Sequence, residues 1–141
     1  VSETLRDGWA VTRFRVRYAE TDAAGIVHHA AYLVWLEEGR SALSRLLGLP
    51  YAELERGGID LVLTRAEVRY RRPARYDEEV EVWARVESAR SRGMRFGYRV
   101  HRAADGELLA EGLTDHVPVE RATGRVVPLP RRFLEAWSAG A

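Results

Sequence analysis

The chain has 141 residues, 46% of them hydrophobic, which suits one domain with a core and argues against disorder. Its 22 basic and 21 acidic side chains leave a formal net charge of +1, against the dominant basic face that general nucleic-acid binding requires. It has no cysteine, hence no disulfide and no thiolate nucleophile, and a reducing compartment suits it.

Glu3, Arg6 and Asp7 interrupt any apolar run near the start, so no signal peptide is expected. The longest apolar segment, Ala30 to Leu36, is too short to span a bilayer, and a cytoplasmic location follows as the expectation. The stretch 12–18, TRFRVRY, alternates strictly, with Phe14, Val16 and Tyr18 facing one way and Arg13, Arg15 and Arg17 the other, as in a half-buried strand. A glycine-containing loop, 19–27, follows. From His28 to Leu47 there is no proline, and Tyr32, Leu36, Gly39, Leu43, Leu46 and Leu47 recur at helical spacing. Leu33, Val34 and Trp35 extend the apolar surface, so this helix is expected to be surrounded by protein. Gly48 and Pro50 end it. A short second helix over 51–58 stops at Gly57 and Gly58.

The period then changes. Segments 60–72, 79–90, 94–103 and 107–120 read as strands. Val80, Val82, Ala84 and Val86 oppose Glu81, Trp83 and Arg85; Met94, Phe96, Tyr98 and Val100 oppose Arg95, Arg99 and His101. Asp105-Gly106 marks a hairpin turn, and 73–78 and 87–93 are the other reversals. A turn at 122–124 leads to a terminal helix, 131–138. One strand, a long helix and four consecutive strands indicate an α+β fold with an antiparallel sheet wrapped round the helix. Trp83, Leu113, Val117 and Val119, set among charges, suggest that part of the sheet surface meets a partner subunit.

The chemistry concentrates in RYAETDAAGIVHHAAYLVWLEEGR, residues 17–40. Asp22 stands just ahead of a helix whose first turns begin near His28. The free N–H groups and positive end of that helix suit an oxyanion, and Gly25 allows a tight turn. On spacing alone Asp22 reads first as a turn or capping residue. The adjacent His28 and His29 point to different faces of a helix with no third ligand spaced to join them, so no metal is expected. Glu37 and Arg40, three apart, read as an ion pair, although Glu37 or Glu38 at a subunit boundary would also support a site. Tyr32 and Trp35 read as core, with substrate contact a second role for Tyr32.

This string resembles the hotdog-fold acyl-CoA thioesterases of the 4-hydroxybenzoyl-CoA thioesterase type. Within them it is most similar to the small bacterial branch associated with the Tol-Pal envelope system. Tyr18, Thr21, Asp22, Gly25, Val27, Tyr32, Glu37 and Arg40 fall in register with the family pattern, and VRYRRPARYDEEVEV (68–82) resembles its strand, Pro-Ala and acidic reversal. Glu20 departs from it, standing where many relatives carry a second Asp; the position is read as supporting. The resemblance implies a hotdog fold, hydrolysis of an acyl-CoA thioester, and Asp22 as the catalytic carboxylate, acting as nucleophile or as general base. It implies that the His29 backbone N–H polarises the carbonyl, with the imidazole moving a proton or holding the leaving thiolate. Tyr18, Gly25 and Tyr32 are the implied substrate contacts. Coenzyme A is part of the substrate, and no other cofactor is implied. Its phosphates need cations: Arg90 and Arg92, with Arg95, surround one turn, whose counterpart in the family lies near the nucleotide. Arg71, Arg72 and Arg75 form another basic patch. For each arginine an ordinary solvated strand end is the competing reading. The family further implies homodimers joined sheet edge to sheet edge, often homotetramers, with sites at the subunit boundary; the charge balance and the short apolar segments lead to the expectation of no nucleic-acid partner and no membrane insertion. A hotdog enoyl-CoA hydratase and a noncatalytic acyl-CoA-binding module are the alternatives. The hydratase pattern sets its histidine closer to the aspartate, and a binding module would lack the carboxylate.

Overall fold

In the computed structural model, which describes residues 2–138, the alternating segments become strands of one antiparallel sheet. The elements are β1 (Ser2–Arg6), β2 (Trp9–Arg15), α1 (Ala31–Leu46), α2 (Tyr51–Arg56), β3 (Ile59–Tyr70), β4 (Glu79–Arg90), β5 (Gly93–Arg102), β6 (Leu108–Glu120), β7 (Arg125–Val126) and α3 (Arg131–Ser138). The spatial order is β1-β2-β4-β5-β6-β3, with β7 paired to β6.

The inward rows are those the alternation marks. Val80, Val82, Ala84 and Val86 on β4 and Met94, Phe96, Tyr98 and Val100 on β5 are all buried. α1 lies across this face, with Tyr32, Trp35, Leu36 and Leu43 turned into the core. Each such side chain removed from water contributes about 1.5–3 kcal/mol. Helix and sheet approach closely at Gly39, where a Cβ would lie 2.9 Å from Val82 Cγ1, so a larger residue there would push α1 off β4. α3 packs below through buried Phe133 and Trp137, and the Trp137 indole donates to the Leu49 carbonyl at 2.9 Å.

Several expectations need correction. The strand expected over 12–18 runs from Trp9 to Arg15 instead. It stops because the Glu20 carboxylate folds back to accept the Arg17 backbone N–H at 2.7 Å, winding Tyr18–Glu20 into a one-turn 3-10 helix. Tyr18 thereby leaves the inward row of Phe14 and Val16 and is 77% exposed. β1 is an addition to the expected elements, and Asp7-Gly8 signals its two-residue hairpin: both adopt positive φ, 49° and 83°, and Arg6 pairs with Trp9 across the turn. β7 is a second addition. α1 begins at Ala31 rather than near His28, and it is not surrounded by protein in the single chain. Leu33 and Val34 are 44% and 61% exposed, because the sheet covers only one side of the helix. Among the described residues no helix is long and apolar enough to cross a membrane.

Candidate active site

Residues 20–28 form a tight hairpin ahead of α1. Asp22 N–H donates to the Ile26 carbonyl at 2.9 Å, Gly25 N–H to the Asp22 carbonyl at 3.0 Å, and His28 N–H to the Glu20 carbonyl at 2.7 Å. Gly25 sits at φ 79°, the left-handed conformation that closes the turn without a Cβ penalty. Asp22 Oδ1 accepts the Ala24 N–H at 2.8 Å, so one carboxylate oxygen does the turn-forming work that spacing alone suggested. The other oxygen accepts no hydrogen bond among the described residues. Val27 N–H donates to the Ala74 carbonyl at 2.9 Å, fastening the hairpin to the segment before β4.

The three residues before α1 are capped by a histidine. His28 Nδ1 accepts the Ala30 N–H at 3.0 Å, and the His28 carbonyl accepts the Ala31 N–H at 2.9 Å. The His29 N–H reaches no acceptor among the described residues, while the His29 carbonyl accepts the Tyr70 hydroxyl hydrogen at 2.8 Å. His29 is thus held through its carbonyl while its N–H stays open, at the positive end of α1. The two imidazoles do not diverge on a helix as the sequence suggested. Both precede the helix, both are exposed, and their rings stack at 4.1 Å. Among the described residues no three metal-ligating side chains converge.

Glu20 supports the loop more fully than its place in the motif suggested. Its carboxylate also accepts the Trp35 indole N–H at 2.6 Å and an Arg17 guanidinium N–H at 2.7 Å. One side chain therefore ties the end of β2, the hairpin and α1 together. Tyr70 is the other supporting residue that sequence reasoning missed, and no spacing signal would have found it. Its ring meets Tyr32 edge-on at 5.1 Å while its hydroxyl holds His29.

The expected substrate contacts are spread out. Tyr32 is buried, with burial raising its pKa above the ordinary phenol value. Tyr18 is exposed and meets Tyr76, also exposed, edge-on at 5.5 Å, near the hairpin. Arg90 and Arg92 are exposed at the β4–β5 turn, with no ion pair among the described residues. They lie at the opposite end of β4 from the Asp22 hairpin, roughly 35 Å away along the strand. Arg71 and Arg72 are paired with Glu111 at 3.0 Å and Glu107 at 3.2 Å, and Arg75 reaches the Gly25 carbonyl at 3.4 Å. Glu37 and Arg40 form the expected ion pair, at 3.5 Å.

One buried titratable group stands apart from the hairpin. His116 on β6 has its pKa pushed down to about 4, by burial first and then by the Arg40 charge, against weaker support from the Leu61 backbone and Asp115. The unfolded chain binds this proton below pH 6.5 and the folded chain refuses it until about pH 4. Stability is therefore full above pH 6.5 and is lost as pH falls, by about 3 kcal/mol in all. Urea unfolding at pH 7 and pH 5 should show a drop that His116→Gln removes. Equal wild-type stability at both values would mean that His116 titrates normally in the fold.

Comparison with known proteins places these features. The family model described as Thioesterase-like superfamily matches residues 16–137. The chain is 32% identical over 120 residues to the acyl-CoA thioester hydrolase YbgC of Escherichia coli, covering 85% of this chain and 89% of that protein. Among solved structures, a hypothetical protein from Thermus thermophilus superposes with TM-score 0.87 at 40% identity, over 93% of this chain and 98% of that one. The DHNA-CoA thioesterase from Staphylococcus aureus superposes with TM-score 0.88 at 31% identity, over 92% and 89%. The sheet wrapped round α1 is the hotdog fold of these relatives.

Proposed function

The chain belongs to the Thioesterase-like superfamily, and from that membership we propose that it is an acyl-CoA thioesterase, releasing a free acid and coenzyme A. The observation that carries the reading is the open His29 N–H beside a hairpin that presents Asp22. Thioester hydrolysis needs an oxyanion donor and an activated oxygen nucleophile, and these two groups supply them on adjoining segments. Asp22 either attacks the thioester carbon, expelling the coenzyme A thiolate and leaving a mixed anhydride for water to cleave, or takes the proton of an attacking water. The His29 imidazole is placed to assist the departing thiolate. Gly25 keeps the hairpin tight, and Tyr18 and Tyr32 flank it from outside and from the core.

Arg90 and Arg92 bind the nucleotide phosphates across a subunit boundary. Their distance from Asp22 within one chain supports that allocation, because a single protomer does not bring the two ends together. β3 supports a dimer. It is a 12-residue edge strand with exposed Val62, Leu63 and Tyr70, and an edge this long is a template for pairing with a second copy. The working unit is then a one-domain homodimer or homotetramer of the Tol-Pal-associated branch, cytoplasmic, needing no metal or prosthetic group and binding no nucleic acid.

A thiol-release assay across short, long and aromatic acyl-CoAs tests the activity; no release from any of them would refute it. In the same assay Arg90→Ala with Arg92→Ala should raise KM about tenfold and change kcat less, since phosphate contacts are remote from bond breaking. The loss should shrink on a pantetheine thioester, which has no nucleotide. Equal losses on both substrates would mark a folding or assembly defect instead.

A further inference from the structure

Beyond the hairpin, α1 overlies a polar device that hydrolysis does not use. A cavity of about 490 Å³ is walled by Leu43, Leu61, Phe96 and Trp137, with Glu37 and Arg40 among its polar lining. On the sheet beside it, three polar side chains face inward from neighbouring strands. The Tyr98 and Thr114 hydroxyls are 2.6 Å apart, and Thr114 Oγ1 lies 2.9 Å from His116 Nε2. His116 is 2% exposed, meets Phe96 edge-on at 5.4 Å, and sets Nδ1 near the Leu61 backbone without a formed hydrogen bond. The Arg40 charge acts on both Tyr98 and His116. Burial pushes the Tyr98 phenol up, and the Arg40 charge and hydrogen bonding oppose that rise.

One consistent direction runs along this polar chain: Tyr98 turns its hydrogen to Thr114. Thr114 then gives its hydrogen to Nε2, and the neutral ring carries its remaining hydrogen on Nδ1. A buried donor left in this state costs about 1–3 kcal/mol. Arg40 is under-partnered as well. Its ion pair with Glu37 is 3.5 Å long, and its side chain is 22% exposed against 68% for Glu37, so the cation is more buried than its anion. A guanidinium in the cavity wall with only one long ion pair suits an added anionic acceptor, although the Glu55 carboxylate also lines the space. Exposed Leu33 and Val34, followed by Glu37, form a stripe at helical spacing from the His29 end of α1 towards Arg40, roughly 15 Å away.

We propose that this cavity receives the far end of the acyl chain, and that Arg40 in its wall selects chains ending in a carboxylate. The substrate class is the coenzyme A mono-thioester of a long-chain dicarboxylic acid. This rests on the thioesterase reading above. The experiment compares kcat/KM for ω-carboxyacyl-CoAs and saturated acyl-CoAs of equal length. The wild type should favour the carboxylate series by about tenfold, the size of one charge-assisted contact. Arg40→Met should bring the ratio to about one, mainly through KM, and Arg40→Lys should keep part of it, because the charge stays while the planar fork is lost. A wild-type ratio of one, or an equal loss on both series in Arg40→Met, overturns the selectivity and leaves the thioesterase standing. No hydrolysis of either series removes the thioesterase reading itself.

Discussion

Asp22→Asn is expected to lower kcat by about a thousandfold or more, with KM and thermal stability close to wild type. The structure explains why the substitution isolates the chemistry. Asn keeps the side-chain oxygen that accepts the Ala24 N–H at 2.8 Å, so the turn from Asp22 to Gly25 survives. What it removes is the anionic oxygen, which either attacks the thioester or draws a proton from water. Losing that group removes an interaction needed only in the transition state, so kcat falls while ground-state binding persists. The measurement is steady-state hydrolysis with a thermal melt on the same preparation. Turnover near wild type, with deamidation to Asp ruled out by mass, would reduce Asp22 to its turn-forming role and favour a binding module.

The second large effect is expected from assembly. A chain carrying Asp22→Asn and a chain carrying Arg90→Ala with Arg92→Ala should each be poor enzymes, and mixing them should restore part of the activity. If each site takes its carboxylate from one protomer and its phosphate-binding arginines from the other, one of the two hybrid sites is intact. The roughly 35 Å between the two ends of β4 makes this the expected outcome. Rescue should depend on subunit exchange, so brief denaturation and refolding of the mixture should raise it. Sedimentation should show a dimer or a dimer of dimers at micromolar concentration. An active monomer would reject the shared site, whereas a stable dimer without rescue would reject only the assignment of the arginines.

Much of the fold was legible because burial imposes period on sequence. The inward rows of β4 and β5 alternate, and the covered face of α1 recurs at helical spacing, since each must hide apolar surface. Boundaries were less legible where a side chain competes with regular backbone pairing. Glu20 ends β2 by capturing the Arg17 N–H, and His28 accepts the Ala30 N–H ahead of α1. Glu20 is the usual acid of a capping box, but Arg17 stands where Ser or Thr would announce it, and His28 is not a common cap. β1 was different: its Asp7-Gly8 turn carried the usual hairpin signal, and only the polar, exposed composition of Ser2–Arg6 hid the strand.

By itself, the sequence determined the sheet-and-helix architecture, the motif string around Asp22, and the ion pair of Glu37 with Arg40. These depend on local spacing, which periodicity and turn chemistry record directly. Only the tertiary structure decided that the His29 N–H stays open while its carbonyl is held by Tyr70 from a strand some forty residues away. Likewise, only the fold separates Arg90 and Arg92 from the hairpin, and brings Tyr98, Thr114 and His116 into one buried chain beside Arg40. Such groupings join residues distant in sequence. They follow from strand order and register, which no local pattern encodes, and from the need of each buried polar group to find a partner wherever the fold places one.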